Sequence, residues 1–304
     1  MSLKLHVLGC GSATPVGQRI SSAFALRKEN EFFLIDCSEG AQMHMKANGI
    51  RMQKISRVFI SHLHGDHYFG LIGLLSSLHL FGRTEPIHVY GPNLLKKIID
   101  IQMKAGNTHL SFPLHFHKIK ANKHSLIYHD DEISIETIPL VHSIPTSGFV
   151  FREKPHKPNL NKDFIEKYDP SVEWILRIKS GEDFVDEDGN CLSNQEITSP
   201  STYKPKSFAY CSDTVYTESI IPYIKNVDLL YHEATFMENM KNIAHDKLHA
   251  TASEAATIAK AANVKRLLIG HYSARYASLE PLLNEARAIF PHTIAAEEGM
   301  VLDI

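Results

Sequence analysis

The stretch SHLHGDHYFGL, Ser61–Leu71, sets His62, His64, Asp66 and His67 between an apolar run and a helix-like run. Residues two apart on an extended segment project to the same side, so His62 and His64 can serve one metal ion together. The chain then turns, and Asp66 and His67 face a neighbouring position, so the cluster splits naturally over two ions. Solvated or core histidines rarely fall at an H-x-H-x-D-H spacing ahead of a helix, which makes this a metal motif. It also places the end of a strand and the start of a helix, the joint on which an α/β layered fold builds its sites.

Outward from that joint the pattern repeats. LKLHVLG, FFLIDC, RVFISH, PIHVYG, ISIETIPLVH, SFAYCSD, LLYHEA and RLLIGHY read as short strands, by apolar alternation or compact apolar runs with turn residues at their ends. DHYFGLIGLLSSLHLFG, PNLLKKIIDIQMKAG, TASEAATIAKAANV and LEPLLNEARAIFP carry apolar residues at helical spacing. Strands and helices interleave along the whole chain, which predicts an α/β architecture. Three more ligand types stand singly at strand ends: His142 after IPLV, Asp213 after FAYCS and His271 after RLLIG. Taken alone, each is more often a packed or solvated residue than a ligand. The nitrogen and oxygen inventory suits zinc, with manganese or iron also compatible. LHFHKIK offers another H-x-H at His115 and His117, but no Asp-His follows and the alternation fits a half-exposed strand.

Composition narrows the class. The chain has 304 residues, is 43% hydrophobic and has formal net charge −2, enough for a large core. A nucleic-acid partner would have to be held by a local basic surface rather than by the whole-protein field. No signal-peptide pattern and no membrane-length apolar run is read from the sequence, and Cys10, Cys37, Cys191 and Cys211 have no paired spacing, so the cytosol is the expected compartment. From Arg152 to about Lys206 the text turns polar and proline-rich, with lysines interleaved with Phe164, Tyr168 and Trp174. That segment is either a surface insertion whose aromatics form a satellite core or a binding arm.

SHLHGDHYFGL, with LVH at 140–142, YCSDT at 210–214, HEATF at 232–236, HATASEAA at 249–256 and IGHYSARY at 269–276, strongly resembles ribonuclease Z, the tRNA 3′-processing endonuclease family of the metallo-β-lactamase superfamily. The resemblance runs almost end to end. It implies a four-layer αβ/βα metallo-β-lactamase sandwich over 1–304, with a flexible tRNA-binding arm inserted at 152–187. It also implies two zinc ions per subunit, a homodimer and precursor tRNA as substrate. By motif, one zinc takes His62, His64 and His142, the second takes Asp66, His67 and His271, and Asp213 bridges them. The implied reaction removes the 3′ trailer by phosphodiester hydrolysis, leaving a 3′-hydroxyl on the tRNA and a 5′-phosphate on the trailer. Two metals can stabilise both the attacking and the leaving oxygen.

In that scheme Asp66 also orients the attacking water. His249, oriented by Glu233, protonates the leaving 3′-oxygen, and Arg275 clamps phosphate with its planar fork. Lys154, Lys157, Lys162 and Lys167 of the arm supply contacts to the RNA backbone. Two positions depart from the family pattern: DCSEG has Ser38 where a glycine is usual, and KPHKPNLNK lacks the arm's Pro-Gly, leaving Asn159 as the candidate for a left-handed conformation. The glycines of GCGSATP read as a tight turn. Two other readings stand beside this one: hydrolysis of a small ester, thioester or phosphodiester by the same core, and a non-catalytic RNA-binding subunit. A redox di-iron relative would carry Glu where this chain has Gly65.

Overall fold

The structure is a computed structural model that describes residues 3–14, 16–17 and 19–304. Pro15, the last residue of GCGSATP, lies outside the described residues. In chain order the first elements are β1 (Lys4–Gly9), β2 (Ala23–Lys28), β3 (Glu31–Cys37), α1 (Ala41–Ala47), β4 (Ile55–Phe59), α2 (Gly65–Leu80), β5 (Ile87–Gly91), α3 (Asn93–Ala105) and β6 (Leu114–Lys118). Then come β7 (Ser125–His129), β8 (Ile133–Leu140) and β9 (Thr146–Glu153). A polar segment follows with β10 (Asn159–Leu160), α4 (Lys162–Tyr168), α5 (Val172–Lys179), β11 (Phe184–Val185), β12 (Cys191–Leu192), α6 (Asn194–Ile197) and β13 (Thr198–Ser199). The chain finishes with β14 (Ser207–Cys211), α7 (Ile221–Ile224), β15 (Leu229–Glu233), α8 (Lys241–Asp246), α9 (Ala252–Ala261), β16 (Arg266–Gly270), α10 (Glu280–Ile289), β17 (Thr293–Ala295) and β18 (Val301–Asp303).

Two seven-stranded sheets result, ordered β18-β1-β2-β3-β4-β5-β6 and β17-β16-β15-β14-β9-β8-β7. The strands β3 to β6 pair in parallel, as do β14 to β17, because each is joined to the next by a helix-bearing crossover. Side-chain alternation sorts the faces. On β3, β4 and β5, Leu34, Val58 and Val89 join Met45, Leu71, Leu75, Leu95 and Ile99 of α1, α2 and α3 in one apolar layer. The alternate residues point to the other sheet: Phe59 stacks on its neighbour Tyr90 of β5 at 4.8 Å and meets Phe151 at 5.4 Å and Phe149 at 5.5 Å, both on β9 of the second sheet, between ring centroids. Phe59→Ala would cost about 3–5 kcal/mol. Helices α9 and α10 cover the outer face of the second sheet, so the order is helices, sheet, sheet, helices, the four-layer α/β sandwich expected.

The crossovers make the parallel strands of each sheet end at a common edge, and the loops there carry the chemistry. Packing at that edge is close. Gly70 of α2 sits where a Cβ would lie 2.1 Å from the Ser38 carbonyl, so only glycine lets the helix approach. Ser38 itself is buried and its hydroxyl donates to the Ser21 carbonyl at 2.8 Å, which accommodates the departure from glycine there.

A second compact unit comprises His129–Ser134 and Arg152–Pro205. It has its own small core of Phe164, Ile178, Phe184 and Ile197, with Leu160, Tyr168, Trp174 and Leu192 packed against it. The unit runs to Pro205, near the end of the polar segment read from the sequence, and Leu192 and Ile197 belong to its packing. Asn159 is extended and paired with Ser199, and among the described residues the non-glycine residue of the unit with a left-handed backbone is Asp169, φ 39°, at the C-terminus of α4.

Candidate metal centre

Seven side chains from both sheets converge. After β4 come His62 and His64, α2 opens with Asp66 and His67, and His142, Asp213 and His271 follow β8, β14 and β16. In the first group His64 Nδ1 lies 3.1 Å from His62 Nε2 and 3.2 Å from His142 Nε2, and Asp213 Oδ2 is 3.6 Å from both of those Nε2 atoms. In the second, His67 Nε2 is 3.4 Å from Asp66 Oδ2 and 3.2 Å from Asp213 Oδ1, and His271 Nε2 is 3.8 and 3.3 Å from the same two oxygens. One carboxylate, Asp213, thus turns a different oxygen to each group.

The hydrogen bonds behind the ligands fix which nitrogen faces inward. Asp36 accepts from His67 Nδ1 at 2.7 Å, and the Leu248 carbonyl accepts from His142 Nδ1 at 2.9 Å. The hydroxyl of Ser61, which donates to Asp36, is 2.9 Å from His62 Nδ1, and that of Thr235 is 2.8 Å from His271 Nδ1. With Nδ1 protonated in all four, each Nε2 presents a lone pair to the centre. Lone pairs this close repel unless a cation lies between them. A tetrahedral zinc site with bonds of about 2.05 Å has donor–donor edges of about 3.3 Å, and the observed separations bracket that figure. His67 Nε2 and His271 Nε2 are buried with no hydrogen-bond partner, a cost that a metal bond removes. The residues fit a metal.

Charge gives the same answer. Burial opposes the charge of Asp213, yet His271, His67 and His62 hold it well below the usual carboxylate range. Burial also opposes a charge on His67, but Asp213 and Asp36 on either side pull it up, so these carboxylates demand a positive charge at that point. Three non-glycine residues with left-handed backbones cluster here: Asp36 (φ 55°), Leu248 (φ 56°) and His271 (φ 60°). Each such conformation costs of order 1–3 kcal/mol and persists where packing overdetermines it. Leu248 uses it to aim a carbonyl at His142.

Beside the ligands, Glu233 is fully buried. Its Oε1 accepts from Thr214 N–H and from His249 Nδ1, each at 2.8 Å, and its Oε2 accepts from the Thr235 hydroxyl. Burial works against a charge on His249, but the Glu233 carboxylate outweighs it and raises the imidazole to about 9. His249 also lies within ligand reach of Asp213 and His271, but a protonated imidazole has no lone pair for a metal. Both groups and His249 open on one cavity of about 650 Å³, lined also by Ser12, Thr14, Ser143 and Arg275. Arg275 donates to Ser273 Oγ at 3.2 Å and lies 5.6 Å from the Phe236 ring centroid. Lys154, Lys157 and Lys162 belong to the second unit. Sequence reading missed Asp36, Ser61, Thr235 and Leu248; only the Asp at the end of FFLIDC, a strand end like the others, carried a signal.

Fold and site define a metal-dependent hydrolase of the metallo-β-lactamase fold. The chain is similar to the metallo-β-lactamase fold protein YhfI from Bacillus subtilis (TM-score 0.68, 20% identity, 100% of each chain) and to human tRNase Z, short form (TM-score 0.72, 26% identity, 99% of each chain). A family model described as "Anti-Pycsar protein Apyc1" matches residues 3–162, so the first half falls within that family; the span holds the H-x-H-x-D-H motif and His142 but stops before Asp213, His249 and His271. Ribonuclease Z of Bacteroides thetaiotaomicron is 42% identical over 99% of this chain and 95% of its own. The chain belongs to the ribonuclease Z family.

Proposed function

We propose that this chain is the endoribonuclease that removes the 3′ trailer from precursor tRNA, with two zinc ions, one in each ligand group. The observation that carries the reading is the juxtaposition in one cavity of two groups sharing Asp213 with the His249–Glu233 dyad. Bound there, the ions supply Lewis acidity that polarises the phosphate and activates water as the nucleophile. Asp66, kept ionised by His271 and His67 against the cost of burial, orients that water. Water's oxygen bonds to phosphorus as one of its protons passes by way of Asp66 to solvent, the P–O3′ bond breaks, and His249 gives its proton to the departing 3′-oxygen. The tRNA leaves with a 3′-hydroxyl and the trailer with a 5′-phosphate. Glu233 positions His249 and stabilises its charged form. Arg275 holds phosphate at the rim, and Lys154, Lys157 and Lys162 of the second unit grip the RNA backbone.

A homodimer fits the apolar side chains of Met43 on α1 and of Phe69 and Leu80 on α2, all of which stand exposed. Among the described residues no helix is long and apolar enough to cross a membrane, and the cytoplasm is the compartment we assign. The test is cleavage of an end-labelled precursor tRNA by wild type and by Asp66→Ala, with product ends mapped. A cut leaving a 3′-hydroxyl, lost in the variant, supports the reading. No cut by protein shown to hold its metal refutes it and brings small-ester hydrolysis forward.

A further inference from the structure

A second cavity, of about 550 Å³, lies outside the metal centre. It is lined by Tyr90, Phe116 and His117, by Lys118, Lys120 and Lys123, and by the start of β7. No acidic residue lines it, and among the described residues the three solvent-facing lysines make no ion pair. A ladder of rings runs into it from the core: Phe59 stacks on Tyr90 at 4.8 Å and 15°, and Tyr90 on His117 at 4.3 Å and 12°. Tyr90 covers one face of the His117 imidazole; among the described residues no second ring covers the other. The ring is held in plane by His88, whose Nδ1 is 3.0 Å from His117 Nε2. Burial, His115 and Arg57 lower its pKa and favour the neutral ring.

Position ties this cavity to the chemistry. Strands β4, β5 and β6 are parallel, so the end of β6 that carries Lys118 shares its sheet edge with the end of β4 that leads to His62 and His64. Two strand spacings separate them, about 10 Å. On the other sheet Ser125 N–H, at the start of β7, donates to Thr137 of β8, the strand that leads on to His142. Stacked rings joined to unpaired cations are the combination that holds single-stranded nucleic acid, because every unstacked base offers a face and every nucleotide a phosphate. A paired acceptor stem offers no free base face.

We propose that this cavity is a subsite for the single-stranded 3′ trailer, with a base continuing the ring stack on His117 and Lys118, Lys120 and Lys123 holding the adjoining phosphates. The inference rests on the endoribonuclease reading. Its test compares KM and kcat for precursor tRNAs carrying a single-nucleotide trailer and an extended one, with wild type, with Lys118→Gln/Lys120→Gln/Lys123→Gln and with His117→Ala. Wild type should show a lower KM for the extended substrate. The triple variant should lose that advantage and flatten the log–log salt dependence of KM by about 2, three contacts at about 0.7 each. His117→Ala should raise KM for the extended trailer about 5-fold or more, the lower bound for one stacked base. Neither variant should change the single-nucleotide substrate. Equal losses on both substrates, or none on either, overturn the subsite while leaving the activity standing; a wild type that cleaves neither overturns both.

Discussion

Replacing Asp36 by asparagine isolates the support behind one metal group. The carboxylate is fully buried and accepts four hydrogen bonds: from Ser61 N–H at 2.8 Å on Oδ1, and from the Ser61 hydroxyl at 2.8 Å, His67 Nδ1 at 2.7 Å and the Tyr210 hydroxyl at 2.7 Å on Oδ2. An amide has one oxygen. With that oxygen in the Oδ2 place, its NH₂ faces the Ser61 N–H, donor against donor. The opposite flip sets the NH₂ against His67 Nδ1–H. The first arrangement is the less costly, and it leaves a buried N–H unpartnered at about 1–3 kcal/mol. His67 then leans on a neutral oxygen, and a charge-assisted bond is roughly twice as strong as a neutral one. Loss of such an outer partner typically lowers metal affinity about 10–100-fold, or about 1.4–2.8 kcal/mol, in line with the hydrogen-bond figure.

Asp36→Asn should therefore fold, melt at a lower temperature without metal, and lose zinc from one of its two groups about 10–100-fold more readily than wild type. The group of His62, His64 and His142 should hold its ion, since the Ser61 hydroxyl keeps both its acceptor and its place beside His62. The assay is equilibrium dialysis against chelator-buffered zinc with the bound metal counted, paired with melts of the metal-free protein. A variant that melts lower yet retains both ions with wild-type affinity would refute the orienting role and leave Asp36 a core residue.

Thr235→Val should weaken metal retention and cleavage together, because the hydroxyl that joins Glu233 Oε2 to His271 Nδ1 is gone; Thr235→Ser should restore both, and a Val variant with normal metal content would count against this. With His249 raised to about 9 and proposed as the proton donor, the rate should fall as pH rises through about 9; in Glu233→Gln the limb should move down toward the ordinary histidine range near 6.5 in a pH–rate profile. Asp228 accepts from Ser207 N–H and hydroxyl and from Lys265; burial opposes its charge, but these partners lower its pKa. Its stability contribution is thus full above about pH 4 and lost as pH falls through the depressed value, so urea midpoints of wild type and Asp228→Ala should converge in acid. Chelation should lower the melting temperature while far-ultraviolet circular dichroism still reports a folded chain at ambient temperature.

How much of this was legible follows from distance along the chain. His62, His64, Asp66 and His67 stand within one strand–helix joint, and their periodicity announces them. His142, Asp213 and His271 are single residues after apolar runs, readable as strand ends but chosen among many histidines and aspartates only through resemblance. Thr235 had no local signal and Asp36 only its place at a strand end, because each acts across the fold: Asp36 reaches His67 and Tyr210, and Thr235 reaches His271. Leu248 acts through its backbone, which no residue type advertises. The polar segment from Arg152 to about Lys206 was legible, but its internal packing was not. Leu192 and Ile197 stand alone in polar text, and only the folded unit shows that they pack against its aromatic core.

Each ligand group draws on both sheets. The end of β4 gives His62 and His64, and the start of α2 gives Asp66 and His67; the second sheet answers with His142, Asp213 and His271. Neither group can close unless the sheets pack, and the ring layer around Phe59 sets that packing without involving a ligand. An ion in either group then ties one sheet to the other at the edge where carboxylates, unpartnered nitrogens and left-handed residues concentrate. Metal held there would offset that charge, and Asp213, which turns one oxygen to each group, would link the two. Binding to the folded state alone stabilises it by about 2.7 kcal/mol at a hundredfold excess over Kd. The same contacts that build the catalytic centre therefore hold the two halves of the sandwich together.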